Sequence, residues 1–336
     1  MERTSRAGRI APGRATGLGL VALGLIVAVS AALANPRSWR AEWPRTDFSS
    51  HSVAFSEIMS GGPPKDGIPP IDKPKFVPAA TLDDLGPQEP VISVTIDGDV
   101  RAYPLRILMW HEIVNDTVGG VPITVTYCPL CNSAVVFDRR LGERVLDFGT
   151  TGKLRNSDLV MYDRQTESWW QQFVGEAIVG ELTGARLDML PSRVESWERF
   201  LARAPEGKVL VPNDRGLRAY GLNPYLRYDR SDVPGMYLGK LPAEVAPLSR
   251  VVVVGGEAWS FDLLRRHGTL TQGDLILTWE PGQNSALDAS VISMGRDVGN
   301  VAVQRRTAVG LQDVVHDVSF AFAFRAFYPD GVIHVQ

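Results

Sequence analysis

Two pairs of matching segments, met in the same order along the chain, constrain the fold more than any other feature. Residues 98–105 read GDVRAYPL and residues 256–263 read GEAWSFDL; residues 123–134 read ITVTYCPLCNSA and residues 275–286 read LILTWEPGQNSA. A weaker pair, VMYD at 160–163 and VVHD at 314–317, continues the series. Self-similarity of this kind means that one supersecondary unit is used more than once. The copies run over 90–180 and 250–336, joined by a connecting segment, 181–249, in which VESWERFLARA (194–204) has helical character.

Within the first copy, VISVTIDGDVRAYPL gives an apolar strand, an Asp97-Gly98 turn of hairpin type and a second short strand. LRILMWHEIVND then places Leu105, Leu108, Met109 and Ile113 at helical spacing, and PITVTY returns as a strand that delivers Cys128. With 32 Gly and 23 Pro in 336 residues, turns and short strands are expected rather than long helices. The expected fold class is therefore α+β: mostly antiparallel β, in two related halves around a small helical content.

Ahead of the first copy, residues 35–89 form a Pro-rich extended strap. Its PPKDGIPPIDKPKF stretch has five prolines in fourteen positions, which forbids helix and central strand. Asp66 and Asp72 in this strap read as turn caps or as cation ligands. Further upstream, residues 1–17 are an Arg-rich leader and residues 18–34 an uncharged apolar run, read as a membrane anchor or a signal peptide. Either places the body outside the cytoplasm, periplasmic or extracellular, by the positive-inside rule. The net charge of −3, with no basic block beyond the leader, excludes nucleic acid as a partner. No Gly-x-Ser-x-Gly, His-Glu-x-x-His, phosphate-loop or dinucleotide motif is present, so hydrolase and nucleotide-binding classes lack support.

Cys128 and Cys131, the only cysteines, stand two residues apart at the end of a strand. In the second copy Pro281 and Asn284-Ser285-Ala286 match Pro129 and Asn132-Ser133-Ala134, while Glu280 and Gln283 replace the cysteines. The turn can therefore form without sulfur, and under this alignment the thiols are expected to serve chemistry rather than the shape of the loop. Three readings stay open. In the first, the pair is the knuckle of a metal site, with backbone N–H groups favouring thiolates, and His111 is the third ligand. Copper or zinc would suit such a set, copper being preferred because two thiolates and an imidazole also support electron transfer. His111, like the cysteines, shows no evident counterpart in the second copy. Met109 and Met161 are weak ligands or core residues, and Glu112 is an acid–base group, a partner to His111 or an exposed helix residue.

The second reading is thiol–disulfide exchange, with Cys128 attacking, Cys131 resolving and His111 as base. The helix N-terminus that usually activates such a thiol is missing, because Ala134-Val135-Val136-Phe137 reads as strand. The third is an inert disulfide in a ligand-binding module; closing so short a loop adds roughly 2 kcal/mol. In LRNSDLVMYDRQTESWWQQF, Asn156, Tyr162, Gln165 and Trp169 could line a pocket together with Glu112, or form two strands with buried tryptophans. A redox or metal partner at the cell surface or in the periplasm follows from the first two readings.

The motifs KDGIPPID, WHEIVND, YCPLCNSAVVFDR, LRNSDLVMYDRQTESWWQQ and GEAIVGELTG together resemble a bacterial and archaeal exported family, domain of unknown function 3179. The resemblance spans nearly the whole mature chain and implies export without implying an activity. The family pattern has Gly after the second Cys, where this chain has Asn132, a residue that also tolerates the left-handed conformation.

Overall fold

The computed structural model describes residues 36–336; the leader and apolar run expected over 1–34 lie outside the described residues. The body is mostly β, 40% strand against 14% helix, in the arrangement of a five-bladed β-propeller. Sheet I runs Ile58–Ser60, Phe148–Arg155, Asp158–Asp163, Trp169–Gln171, Glu176–Val179, and sheet II runs Met189–Leu190, Ser133–Asp138, Val121–Cys128, Ile113–Val118. Sheet III contains Ser192–Ser196, Pro90–Ile96, Asp99–Pro104, Lys208–Val211 and Lys75–Pro78. Sheet IV is Asp317–Phe320, Arg250–Val254, Glu257–Ser260, Val332–His334, and sheet V is Thr269–Gln272, Leu275–Glu280, Asn300–Thr307, Gly310–Asp313. Neighbours are antiparallel except Lys208–Val211 on Asp99–Pro104 and Val332–His334 on Glu257–Ser260.

This corrects the α+β expectation of two halves. Hairpin patterns were read locally, whereas the sheets are closed by strands from far along the chain. Ser192–Ser196 pairs with Pro90–Ile96, and Ile58–Ser60 with Phe148–Arg155. One core cluster joins Tyr127 and Cys128 to Ala286, Leu287, Phe320 and Phe322, so the two stretches share an interior. Sheet I has no counterpart in the second stretch. What recurs is the succession of elements: a hairpin, a seven-residue helix and a second hairpin. It appears as Pro90–Pro104, Leu105–His111, Ile113–Cys128 and again as Arg250–Ser260, Phe261–His267, Thr269–Glu280.

The connecting segment and the Pro-rich stretch both enter the sheets, the first through Met189–Leu190, Ser192–Ser196 and Lys208–Val211, the second through Ile58–Ser60 and Lys75–Pro78. Helices are short. The helix expected from Leu105 stops at His111, and Ile113, expected on its apolar face, starts a strand instead. The helix expected over 194–204 spans Trp197–Arg203, after a strand that ends at Ser196.

Sheet II positions the cysteines. In Ser133–Asp138 every residue is buried, and in Val121–Cys128 the last six are, so both faces of these strands are covered. Thr126 Oγ1 donates to Val135 O at 2.7 Å within the sheet and accepts from Gln172 Nε2 at 2.9 Å, while Thr124 Oγ1 and Ser133 Oγ are buried without a hydrogen-bond partner.

Candidate functional site

Two hairpin turns from different sheets meet at the site. In sheet II, Cys128 ends its strand and pairs with Ser133 on the return strand. Pro129 has no N–H and a fixed φ, which suits the outgoing corner. Asn132 closes the turn at φ 52°, its N–H donating to Pro129 O at 3.2 Å, a conformation that Asn reaches at low cost. The turn is anchored from outside: Cys131 O accepts from Phe320 N at 2.9 Å and Asn132 Nδ2 donates to Val318 O at 3.1 Å.

The second turn, in sheet I, is Asn156-Ser157, with φ 55° and 67°. Two consecutive positive φ values give the hairpin turn whose twist matches that of the strands. Its carbonyls lie against the sulfurs, Ser157 O at 3.7 Å from Cys128 Sγ and Asn156 O at 4.0 Å from Cys131 Sγ. The next residue, Asp158, opens a strand whose residues are all buried. Its Oδ2 accepts from Gln171 Nε2 at 2.7 Å and from Phe173 N at 3.0 Å, while its Oδ1 is buried with no hydrogen-bond partner.

The sulfurs of Cys128 and Cys131 and a carboxylate oxygen of Asp158 all lie within 4.8 Å of one another, and all three residues are buried. Neither cysteine is in a disulfide. Burial pushes both thiols up, Cys131 well above its ordinary value. Burial likewise raises Asp158 to about 7 and Glu112, which also feels Asp158, to about 8. Asp317, whose Oδ1 accepts from Ala134 N at 2.8 Å just beyond the turn, is raised by burial to about 6. Among the described residues no Lys, Arg or His forms an ion pair with Glu112, Asp158 or Asp317. The centre is a set of acidic groups whose ionisation is disfavoured by burial, with no ion-paired cation among the described residues to offset it.

A segment from 223 to 239 lies over both turns. Tyr228 Oη donates to Leu130 O and accepts from Gly235 N, each at 3.0 Å, and Ser157 Oγ donates to Gly235 O at 2.6 Å. Beneath it Cys128 is 2% exposed and Cys131 0%.

His111 does not join the set, which corrects its expected role. Its Nδ1 bonds Pro69 O at 2.7 Å, and a carbonyl only accepts, so Nδ1 carries the proton. Nε2 is then the acceptor for Tyr220 Oη at 2.8 Å. Burial first, with Arg218 also acting, lowers its pKa, so the ring is neutral with both nitrogens engaged. The repeated element succession also gives it a counterpart: His267 ends the second helix as His111 ends the first.

The expected pocket of Glu112, Asn156, Tyr162, Gln165 and Trp169 is dispersed. Glu112 and Asn156 are at the cysteine centre. Trp169 is fully buried among Trp39, Trp43 and Phe48, and Tyr162 packs on Trp43 and donates to Asp66 Oδ2 at 2.6 Å. Gln165 bonds Asp147 in an outer turn. Met109 and Met161 are core residues, and Asp72 bonds Arg164 and Asn115. Sequence reasoning missed Asp158; the one signal for it was an acid at the head of an apolar run directly after a hairpin-type Asn-Ser pair.

Fold and site together define a β-propeller protein with a buried dithiol–carboxylate centre. The chain belongs to the family described as Protein of unknown function (DUF3179), whose model matches residues 65–331. No curated protein and no solved structure matches the chain. Among the described residues no helix is long and apolar enough to cross a membrane.

Proposed function

We propose that this protein binds a single transition-metal ion through Cys128, Cys131 and Asp158. The observation that carries this reading is Asp158: one of its carboxylate oxygens lies within 4.8 Å of two buried sulfurs, and its Oδ1 is fully buried with no nitrogen or hydroxyl donor. A buried polar atom left without a partner costs roughly 1–3 kcal/mol, more when charged, and persists where something else uses it. Sulfur and carboxylate donors together fit zinc, which accepts both; copper, preferred while an imidazole was the expected third donor, loses that argument with His111 turned away. Bound zinc would supply the positive charge that lets all three groups ionise in a dry site. Thiol–disulfide exchange is less well supported, because it needs a thiolate, and burial here holds both sulfurs as thiols. The reading includes an exported body, held at or released from a membrane by residues 1–34, that receives its metal from a partner outside the cytoplasm.

Titration of metal-free protein with cobalt(II), followed by displacement with zinc, tests the reading. One equivalent with sulfur-to-cobalt charge-transfer absorption is expected, with affinity lowered about 100-fold or more in Cys128→Ser and Asp158→Asn. Wild-type protein that binds neither ion tightly, or a Cys128→Ser variant that still binds one equivalent with unchanged affinity, refutes it.

A further inference from the structure

Three protein ligands leave a tetrahedral metal one position short. Glu112 is not within the 4.8 Å cluster, but its backbone lies against the strand that ends at Cys128, with Tyr127 N donating to Glu112 O, and its conformation is informative. It follows the helix Leu105–His111 as its C-cap, at φ 58° and ψ −32°. At the matching step of the second stretch, Gly268 caps Phe261–His267 at φ 69° and ψ −57°. The correspondence extends to hydrogen bonds. Glu112 N donates to Leu108 O at 2.7 Å and Gly268 N to Leu264 O at 2.8 Å; Tyr127 N donates to Glu112 O at 2.8 Å and Trp279 N to Gly268 O at 2.7 Å.

The same cap is therefore built twice. One copy uses glycine, which reaches positive φ without strain; the other uses glutamate, which does not. The side chain gives no structural return. Glu112 is 8% exposed, and among the described residues its carboxyl has no hydrogen-bond partner. The two other acids around the centre each have an anchored oxygen, Asp158 through Gln171 and Phe173, Asp317 through Ala134. Glu112 has no such anchor among the described residues. Electrostatically it is felt at Asp158 and at Cys128.

We infer that Glu112 is the fourth ligand of the Cys128–Cys131–Asp158 centre, its carboxylate turning onto the metal to close the coordination sphere. This rests on the metal-binding reading above and adds to it: a closed four-coordinate site holds or transfers its ion rather than activating a water, as a catalytic zinc with an open position does. The strained backbone is kept because the position must carry a carboxylate into a place where the fold by itself asks for glycine.

The test compares Glu112→Gly and Glu112→Gln with the full-length wild type in two measurements. In metal-free protein, Glu112→Gly is expected to raise the denaturation midpoint, since it restores the residue the cap prefers and removes a buried acid. In competition with a chromophoric chelator, both variants are expected to bind zinc about tenfold or more weakly. A variant gaining stability while losing affinity is what a ligand predicts and a merely structural cap residue does not. Wild-type zinc affinity in both variants overturns the inference while leaving the three-ligand reading intact; absence of zinc or cobalt binding by the wild type overturns both.

Discussion

Replacing Asp158 by Asn probes the centre without any metal. In the folded chain the carboxyl titrates near 7, mainly because of burial, whereas its unfolded value is 3.8. A group whose pKa is raised on folding binds its proton more tightly in the native state. Its contribution is thus complete below about pH 4 and is lost as pH climbs toward 7. At 1.36 kcal/mol per pKa unit, Asp158 alone removes about 4 kcal/mol over that window. This is comparable to the whole stability of many domains, roughly 5–15 kcal/mol.

Asn is nearly isosteric, and its oxygen can keep the two bonds from Gln171 and Phe173. The assay is denaturant unfolding of chelator-treated wild type and Asp158→Asn at several pH values from 4 to 8. Other carboxylates, such as Asp99 and Asp138, whose pKa values are held low, push stability the opposite way, so the informative quantity is the difference between the two proteins. That difference should shift by about 4 kcal/mol in favour of the variant between pH 4 and pH 8. With saturating zinc the order should reverse, because only the wild type has a complete ligand set. A pH-independent difference in the metal-free proteins would refute the picture of Asp158 as a buried acid with no compensating cation.

Zinc binding at pH 7 should release about three to four protons, two from the thiols and the rest from Asp158 and Glu112, measured as the dependence of calorimetric enthalpy on buffer ionisation. A cysteine pair with an already neutral histidine would release about two. Tyr228→Phe, which deletes the hydroxyl joining Leu130 O to Gly235 N, should speed labelling of Cys128 by a thiol reagent in metal-free protein; an unchanged rate means that the 223–239 segment does not limit access. His111→Gln should cost about 1–3 kcal/mol in unfolding free energy through its lost bonds to Pro69 and Tyr220, yet leave zinc affinity as it was.

The cysteine turn was legible in the sequence because everything that shapes it is local: Pro129 at the corner, Asn132 at positive φ, β-branched residues on either side. The Asp97-Gly98 hairpin was legible for the same reason. What lay hidden was set by contacts distant in sequence. Asp158 reaches the sulfurs because the Asn156-Ser157 turn of another sheet abuts the cysteine turn, and nothing within either segment announces that meeting. His111 was a reasonable third ligand by path length, but Pro69 from the Pro-rich stretch and Tyr220 from the connecting segment claim both its nitrogens. The propeller arrangement was missed because it depends on which strands pair at sheet edges, and hydrophobic pattern alone does not encode that choice.

A comparison of the two stretches separates what the fold needs from what the site needs. In the second, the cap is Gly268, and the turn after Leu275–Glu280 carries no sulfur, with Glu280 exposed and bonded to Arg199. In the first, the same backbone carries two thiols and an acid that are buried and lack an ion-pair partner among the described residues. Two thiolates and two carboxylates carry the same formal charge as the four thiolates of a common structural zinc site. The metal-free centre avoids that charge by holding its protons, at the expense of unsatisfied polar atoms and a strained cap. On the metal-binding reading proposed above, a dication exchanged for those protons would engage the unpartnered polar atoms, while the cap keeps the backbone conformation that the fold imposes.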